Sequence, residues 1–317
     1  MEALATITPE SLALIHSKIL DPSLSQNNLG PRSREELFQL IDVHTPYYAL
    51  QDVHVLKDNI VAAKVIAESP LGFEQSPITM AEACRHLAIL GSVACATVNP
   101  NQSKHYYLAH KGTYKRVSNE KFAIGKPLTV LAECVSFDKR LAKAKACLID
   151  AENKLICGID VSFHVIPQAM FNRLFAHAYR DYLPALTSPY SRKNTLYDLK
   201  LYDTGATASL GEIKEQDCSG HFPNYPALPV AVLMGALHDL CIAFVQHATR
   251  SMQNGLIADE CTLLADNLAL AGDIVSLEVR LEARSSAYFK LRALAKTDAG
   301  KTVGDITTII NTSYRLI

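Results

Sequence analysis

Residues 220–229 read Gly-His-Phe-Pro-Asn-Tyr-Pro-Ala-Leu-Pro, so one histidine stands among three prolines. Proline fixes φ and restricts the residue before it, which leaves the backbone around His221 few conformations. A histidine works as a general base when it is held in one direction toward the proton that it removes. The pattern therefore predicts a positioned base at His221, and a long apolar helix is predicted directly after it, at about 228–250.

This decapeptide resembles the G-H-F-P-x-x-P-x-x-P-G signature of the 3-hydroxyacyl-thioester dehydratases of fatty-acid and polyketide synthesis. The matching positions are Gly220, His221, Phe222, Pro223, Pro226 and Pro229. Val230 stands where the family has its last glycine. The segment from His44 to Tyr48, His-Thr-Pro-Tyr-Tyr, is similar to a His-x-x-Pro-Phe-like segment near the start of single-domain members. The resemblance implies the hotdog fold, a long helix wrapped by an antiparallel sheet. It also implies that the motif histidine works with an acid on the long helix of a second hotdog.

The chain contains two similar halves. A second long helix is predicted at about 78–98, and residues 82–87 align with 235–240 without gaps. Alternating strands follow both helices, and the closing hairpins repeat at an offset of roughly 150 residues. These repeats predict two copies of one α+β unit, and the resemblance implies that the two copies form a tandem (double) hotdog. Its predicted parts are an N-terminal extension at 1–30, a hotdog domain at 31–168, a helical linker at 169–192 and a second hotdog domain at 193–317.

Each half lacks one member of the expected catalytic pair. The second half has His221 but carries Gly235 at the helix position of the family's acid. The first half has Glu82 at that position but no histidine between His54 and His86. We therefore predict one composite site, in which His221 meets Glu82 across the two halves, and an opposite site that is inactive. Without the resemblance, Glu82 would be interpreted as a surface residue of an amphipathic helix.

The resemblance implies dehydration of a 3-hydroxyacyl thioester to a 2-enoyl thioester. Neutral His221 would remove the proton next to the carbonyl, and free N–H groups at a helix start, near Ile78 or Val230, would stabilise the enolate. Protonated Glu82 would supply the proton for the departing hydroxyl. His221→Ala and Glu82→Gln are each expected to abolish turnover. No cofactor is expected beyond the phosphopantetheine of an acyl carrier protein or coenzyme A that carries the substrate.

Further residues are assigned around this pair. Contacts with the substrate are expected from Gly220, Phe222, Pro229, Val230 and His86, and His86 has a supporting or core role as its alternative. A basic run on a predicted strand is either a docking surface for an acyl carrier protein or a solvated strand face. It consists of Lys111, Lys115 and Arg116.

Three other functions stay open. A hotdog thioesterase would use a helix carboxylate to direct water at the thioester, and a double-bond isomerase would use the same histidine and acid. A non-catalytic hotdog partner in an acyl-synthesis complex would explain why Val230 and Gly235 depart from the family pattern.

Composition narrows the class of protein. Lys and Arg total 31 against 32 for Asp and Glu, which gives no reason to expect nucleic acid or a membrane surface as a partner. The eight cysteines have no paired spacing, which favours a reducing, cytoplasmic location and no metal site. Neither a secretion signal nor a membrane span is expected. Two fused hotdogs are compatible with a monomer or a homodimer.

Overall fold

Two long helices pack against one antiparallel sheet in the computed structural model of the chain. The structure describes residues 8–19, 30–57, 59–118, 122–185, 187–250 and 255–312. The described helices are α1 (Pro9–Ile19), α2 (Arg34–Ile41), α3 (Met80–Val98), α4 (Gln168–Leu174) and α5 (Val230–Thr249). The first-half strands are β1 (Gly30–Pro31), β2 (Gln51–Lys57), β3 (Ile60–Val65), β4 (His105–Arg116), β5 (Leu128–Phe137), β6 (Leu141–Ile149) and β7 (Leu155–Pro167). The second-half strands are β8 (Tyr197–Tyr202), β9 (Gly205–Glu212), β10 (Ile257–Leu264), β11 (Ile274–Arg284), β12 (Tyr288–Thr297) and β13 (Thr302–Asn311).

The strand order repeats about the centre of the sheet. The full order is β1-β2-β3-β5-β6-β7-β4-β10-β13-β12-β11-β9-β8. From the central β4–β10 pair outward, the first half runs β4-β7-β6-β5-β3-β2 and the second runs β10-β13-β12-β11-β9-β8. The second half therefore repeats the strand order of the first, with β10 in the place of β4, β13 in the place of β7, and so on outward. In each half a long helix, α3 or α5, packs on the strands of that half.

Both long helices are apolar around most of their circumference, because each is covered by strands on one side and by the other helix on another. Gly235 lies where they meet: a β-carbon there would stand 3.2 Å from the Ala81 β-carbon. By length and composition alone, α5 could cross a membrane, but 61% of its apolar window is buried inside the protein. One hydrophobic core continues through both halves.

The segment between the halves lies on the loop that carries the histidine motif. The Arg180 N–H donates to the Asn224 carbonyl at 2.8 Å, and the Ala185 N–H donates to the Ser219 hydroxyl at 2.9 Å. The buried Tyr190 hydroxyl donates to the Ser219 carbonyl at 2.7 Å. These contacts fix the motif loop from its outer side.

Candidate active site

The histidine motif of the second half is held by the His44–Tyr48 segment of the first. Gly220 has φ of +81°, and a β-carbon there would collide with the His44 carbonyl oxygen and stand 2.8 Å from the Tyr47 nitrogen. The His44 N–H donates to the Gly220 carbonyl at 2.7 Å, and Val43 forms a β-bridge with His221. Only glycine fits this close approach with a positive φ, so the motif glycine brings the two halves into contact.

The imidazole of His221 is fixed in one tautomer. Its Nδ1 lies 2.8 Å from the Ala227 carbonyl oxygen, which can only accept a hydrogen bond, so in the neutral ring Nδ1 carries the proton. Nε2 is then unprotonated and able to act as a base. Burial lowers the pKa of His221 to about 4, against a smaller raising effect of the Ala227 bond, because the surrounding protein disfavours the charged ring. The ring is therefore neutral at ordinary working pH.

His221 lines the larger of two cavities that bear on the predicted site. This first cavity has a volume of about 240 Å³. The first half contributes wall residues that include Val43, Tyr47, Ala88 and Ile89, and the second half contributes Phe222, Leu228, Val230 and Ala231. Among the described wall residues, Asp266 is the single carboxylate, and it lies on an exposed segment after β10. The cavity of His221 is thus composite and mostly apolar, and its one described carboxylate comes from an exposed segment.

The start of α5 borders this cavity with free backbone donors. The N-cap residue Pro229 gives no side-chain hydrogen bond, and the N–H groups of Val230 and Ala231 have no partner among the described residues. The start of α3 is different, because the Met80 N–H donates to the Glu74 carboxylate and the Glu82 N–H to the Thr79 hydroxyl. Of the two helix starts named by the sequence, that of α5 is the one that borders the cavity of His221, where its N–H groups can receive an oxyanion.

Glu82 is not among the described residues that line the cavity of His221, although the sequence led us to expect these two side chains to face each other. Glu82 is 3% exposed and borders a second cavity instead. Its two carboxylate oxygens accept hydrogen bonds from the N–H groups of Glu68, at 2.7 Å, and Ser69, at 3.1 Å. The carboxylate is held by the loop of its own half.

The helix caps explain this difference. The N-caps are Thr79 in α3 and Pro229 in α5, so Glu82 is the third residue after its cap whereas Gly235 is the sixth. The sixth residue after Thr79 is Arg85, so counted from the helix caps Arg85 is the counterpart of Gly235. A shift of three residues moves a side chain by nearly one helical turn. The Thr79-x-x-Glu82 spacing, typical of a helix start, was the sequence signal that could have revealed this.

The second cavity, of about 70 Å³, holds paired charges. Glu74 accepts from the Met80 N–H at 2.8 Å, and Lys193 lies 3.0 Å from Asp239. Burial raises the pKa of Glu74 to about 7 and also raises that of Asp239. No histidine is among the described residues that line it.

The remaining predicted residues separate into two groups. Phe222 and Val230 line the first cavity, and Pro229 caps α5 beside it. His86 is fully buried, lines neither cavity, and lies 3.5 Å from the Glu82 carboxylate. This position fits the core role, not contact with a substrate.

The three cations of the basic run differ in burial and in pairing. Lys115 is paired with Glu260 on the neighbouring strand β10. Arg116 is buried, and its Nε donates to the Ser118 carbonyl at 2.7 Å. Lys111 is half-buried, so the three cations do not make one exposed patch.

We expect Glu82→Gln to retain turnover within about tenfold of wild type, since loss of a direct general acid costs about 10²–10⁴. The free energy of unfolding should fall by about 1–3 kcal/mol, because an amide cannot accept both backbone hydrogen bonds. Steady-state kinetics and thermal unfolding measure the two effects. Turnover lowered by 10²-fold or more in a folded protein would restore Glu82 to a direct catalytic role.

Comparison with known proteins finds similarity at the level of structure. No protein-family model and no curated protein sequence matches the chain. A putative oleoyl thioesterase from Lactobacillus plantarum is 11% identical, with a TM-score of 0.56 over 81% of this chain and 97% of its own. The 12:0-ACP thioesterase from Umbellularia californica is 8% identical, with a TM-score of 0.52 over 79% and 93%. The tesB protein of Mycobacterium avium subs paratuberculosis is 9% identical, with a TM-score of 0.52 over 83% and 96%.

The chain has the hotdog fold. At these identities the likeness shows the fold and leaves the reaction to be argued from the site.

Proposed function

We propose that the chain is a double-hotdog enzyme acting on acyl thioesters, with units at 31–168 and 193–317, and that it dehydrates a 3-hydroxyacyl thioester. One observation carries the proposal. A neutral, fixed imidazole lies in a cavity built by both halves, beside the free N–H groups of α5. A base and an oxyanion site at one place are what removal of a proton next to a thioester carbonyl requires. An acyl carrier protein or coenzyme A remains the proposed carrier.

In the proposed reaction the thioester carbonyl lies at the start of α5 and the acyl chain in the apolar part of the cavity. Nε2 of His221 takes the proton from the carbon next to the carbonyl, and the N–H groups of Val230 and Ala231 stabilise the enolate oxygen. The enolate then expels the hydroxyl from the next carbon, which forms the double bond, and the leaving oxygen takes up a proton to depart as water. Glu82 supports this site indirectly, by holding the 68–69 backbone.

Thioester hydrolysis is the second candidate, and one observation favours it. Expulsion of hydroxide needs a proton donor, yet the single carboxylate among the described wall residues, Asp266, lies on an exposed segment. A thiolate leaves more readily than hydroxide, because the pKa of a thiol is ~8.5 and that of water is ~15.7. The thioesterases among the similar structures agree with this candidate, in which His221 would activate a water molecule.

A matched pair of substrates separates the two reactions. The purified chain is given a medium-chain 3-hydroxyacyl thioester and the saturated thioester of equal length, and products are followed by mass spectrometry and by a thiol reagent. We expect loss of water from the first substrate alone, because the saturated chain has no hydroxyl to expel. We expect no thiol release from either substrate, because dehydration leaves the thioester intact. Thiol release from the saturated substrate would establish hydrolysis instead. Failure to convert either substrate, with coenzyme A or a carrier protein as the thiol, would favour a non-catalytic partner.

A further inference from the structure

Tyr47 lies opposite the catalytic imidazole and comes from the other half of the chain. Its ring centroid is 5.1 Å from that of His221, with an angle of 66° between the planes. Tyr47 lines the first cavity although only 5% of its surface is exposed. Its hydroxyl has no hydrogen-bond partner among the described residues. An uncommitted phenol therefore shares the cavity with the base.

Arg85, the counterpart of Gly235, holds this tyrosine in place. Its Nε donates to the Tyr47 carbonyl at 3.0 Å, and its guanidinium carbon lies 5.3 Å from the Tyr47 ring centroid. The same guanidinium is paired with Glu68 at 2.6 Å and lies 5.0 Å from the Tyr190 ring. Counted from the helix cap, the position of the family's acid is thus occupied by Arg85, and its guanidinium holds the Tyr47 ring in place.

We propose that Tyr47 is a second catalytic residue, whose hydroxyl donates the proton to the departing hydroxyl of the substrate. The inference rests on the proposed dehydration. It supplies the proton donor for the departing hydroxyl, a role that was expected of Glu82. The pair of base and acid is still split between the halves, with His221 from the second and Tyr47 from the first.

The proton balance closes within the pair. His221 takes the proton from the carbon next to the carbonyl, and the electrons of that bond form the double bond as the carbon–oxygen bond breaks. The leaving oxygen takes the phenolic proton and departs as water, which leaves a phenolate at Tyr47 and an imidazolium at His221. The proton then passes from the imidazolium to the phenolate, directly or through the product water, and the resting state returns.

The electrostatics suit these roles. Burial raises the pKa of Tyr47, so the phenol stays protonated until the leaving oxygen takes its proton. The Arg85 cation acts in the opposite direction and favours the transient phenolate. Because burial lowers the pKa of His221, its imidazolium is the stronger acid and reprotonates the phenolate readily.

The neighbouring Tyr48 offers a matched control for Tyr47→Phe. Its hydroxyl is buried and has no hydrogen-bond partner in the described part of the chain. Its ring packs at 5.2 Å on Phe38 and does not line the cavity. We expect Tyr47→Phe to lower kcat for a 3-hydroxyacyl thioester by about 10²–10⁴-fold, whereas Tyr48→Phe leaves kcat within about threefold. A 3-acetoxyacyl thioester is the second probe, because acetate departs without a proton donor.

The acetoxy substrate distinguishes a proton donor from a structural residue. We expect Tyr47→Phe to process it at close to the wild-type rate, whereas His221→Asn processes neither substrate. Equal losses of Tyr47→Phe on both substrates, or unchanged kcat on the hydroxy substrate, would overturn the role of Tyr47 while leaving the dehydratase intact. If the wild-type chain eliminates from neither substrate, the proposed function itself fails, and the role of Tyr47 in it fails as a consequence.

Discussion

His221→Asn should lower the turnover of a 3-hydroxyacyl thioester by about 10²–10⁴-fold while the chain remains folded. The asparagine amide can still donate to the Ala227 carbonyl, as Nδ1 does at 2.8 Å in the wild type, so the motif loop keeps its internal bond. What is lost is Nε2, the base that shares a cavity with the free N–H groups of α5. Kinetics on the folded variant, with circular dichroism as the control for structure, measure the effect. A fully active variant would remove His221 from the mechanism.

The pH dependence gives a second readout of the same change. With the pKa of His221 lowered to about 4, the ring is a neutral base above that pH, and kcat/KM should decline only as pH falls through about 4. The unfolded ring has an ordinary pKa near ~6.5 and binds its proton first, so the His221 contribution lowers the free energy of unfolding as pH falls from ~6.5 to ~4. The difference between wild type and His221→Asn isolates this contribution from His238, whose pKa burial also lowers to about 4.

Gly220→Ala should destabilise the chain by about 2–4 kcal/mol and abolish most of its activity. The added methyl group collides with the backbone of His44 and approaches the Tyr47 nitrogen, and these atoms cannot move without displacing the segment that holds the motif. Separation of the two segments would move His221 away from Tyr47. Thermal unfolding and turnover are measured on the same preparation.

Gly300→Ala is the matched control for this substitution. Gly300 has φ of +77°, close to the +81° of Gly220, but among the described residues beyond its two chain neighbours no atom lies within 4 Å of the added β-carbon. It should therefore show only the backbone cost, about 1–2 kcal/mol, with normal turnover. Equal effects of the two substitutions would mean that the contact with His44 contributes nothing to the site.

Elements with strong local signals could be predicted closely. The helices expected at about 78–98 and 228–250 are observed at Met80–Val98 and Val230–Thr249. The motif at 220–229 pointed to His221, which lines the first cavity, because its prolines and glycine restrict the backbone locally. The repeat of strands predicted the internal symmetry of the sheet.

Pairings between distant residues could not be predicted in the same way. The basic run looked exposed from its own strand, but the register of β4 with β10 places Glu260 opposite Lys115. Tyr47 lay in a segment that the sequence singled out, yet nothing local indicated that its ring would face His221. Such contacts depend on how strands and loops far apart in the chain are brought together.

The sequence by itself determined the long helices, the repeat of the strands and the cavity residue His221, because prolines, glycines and apolar periodicity act on the residues beside them. The tertiary structure alone decided what faces that base. A cap at Thr79 shifts Glu82 by nearly a turn from the expected position, its carboxylate binds the backbone of its own half, and Tyr47 lies opposite His221 instead. The direction of a side chain depends on the helix start and on the packing of remote segments, and neither is contained in a short stretch of sequence.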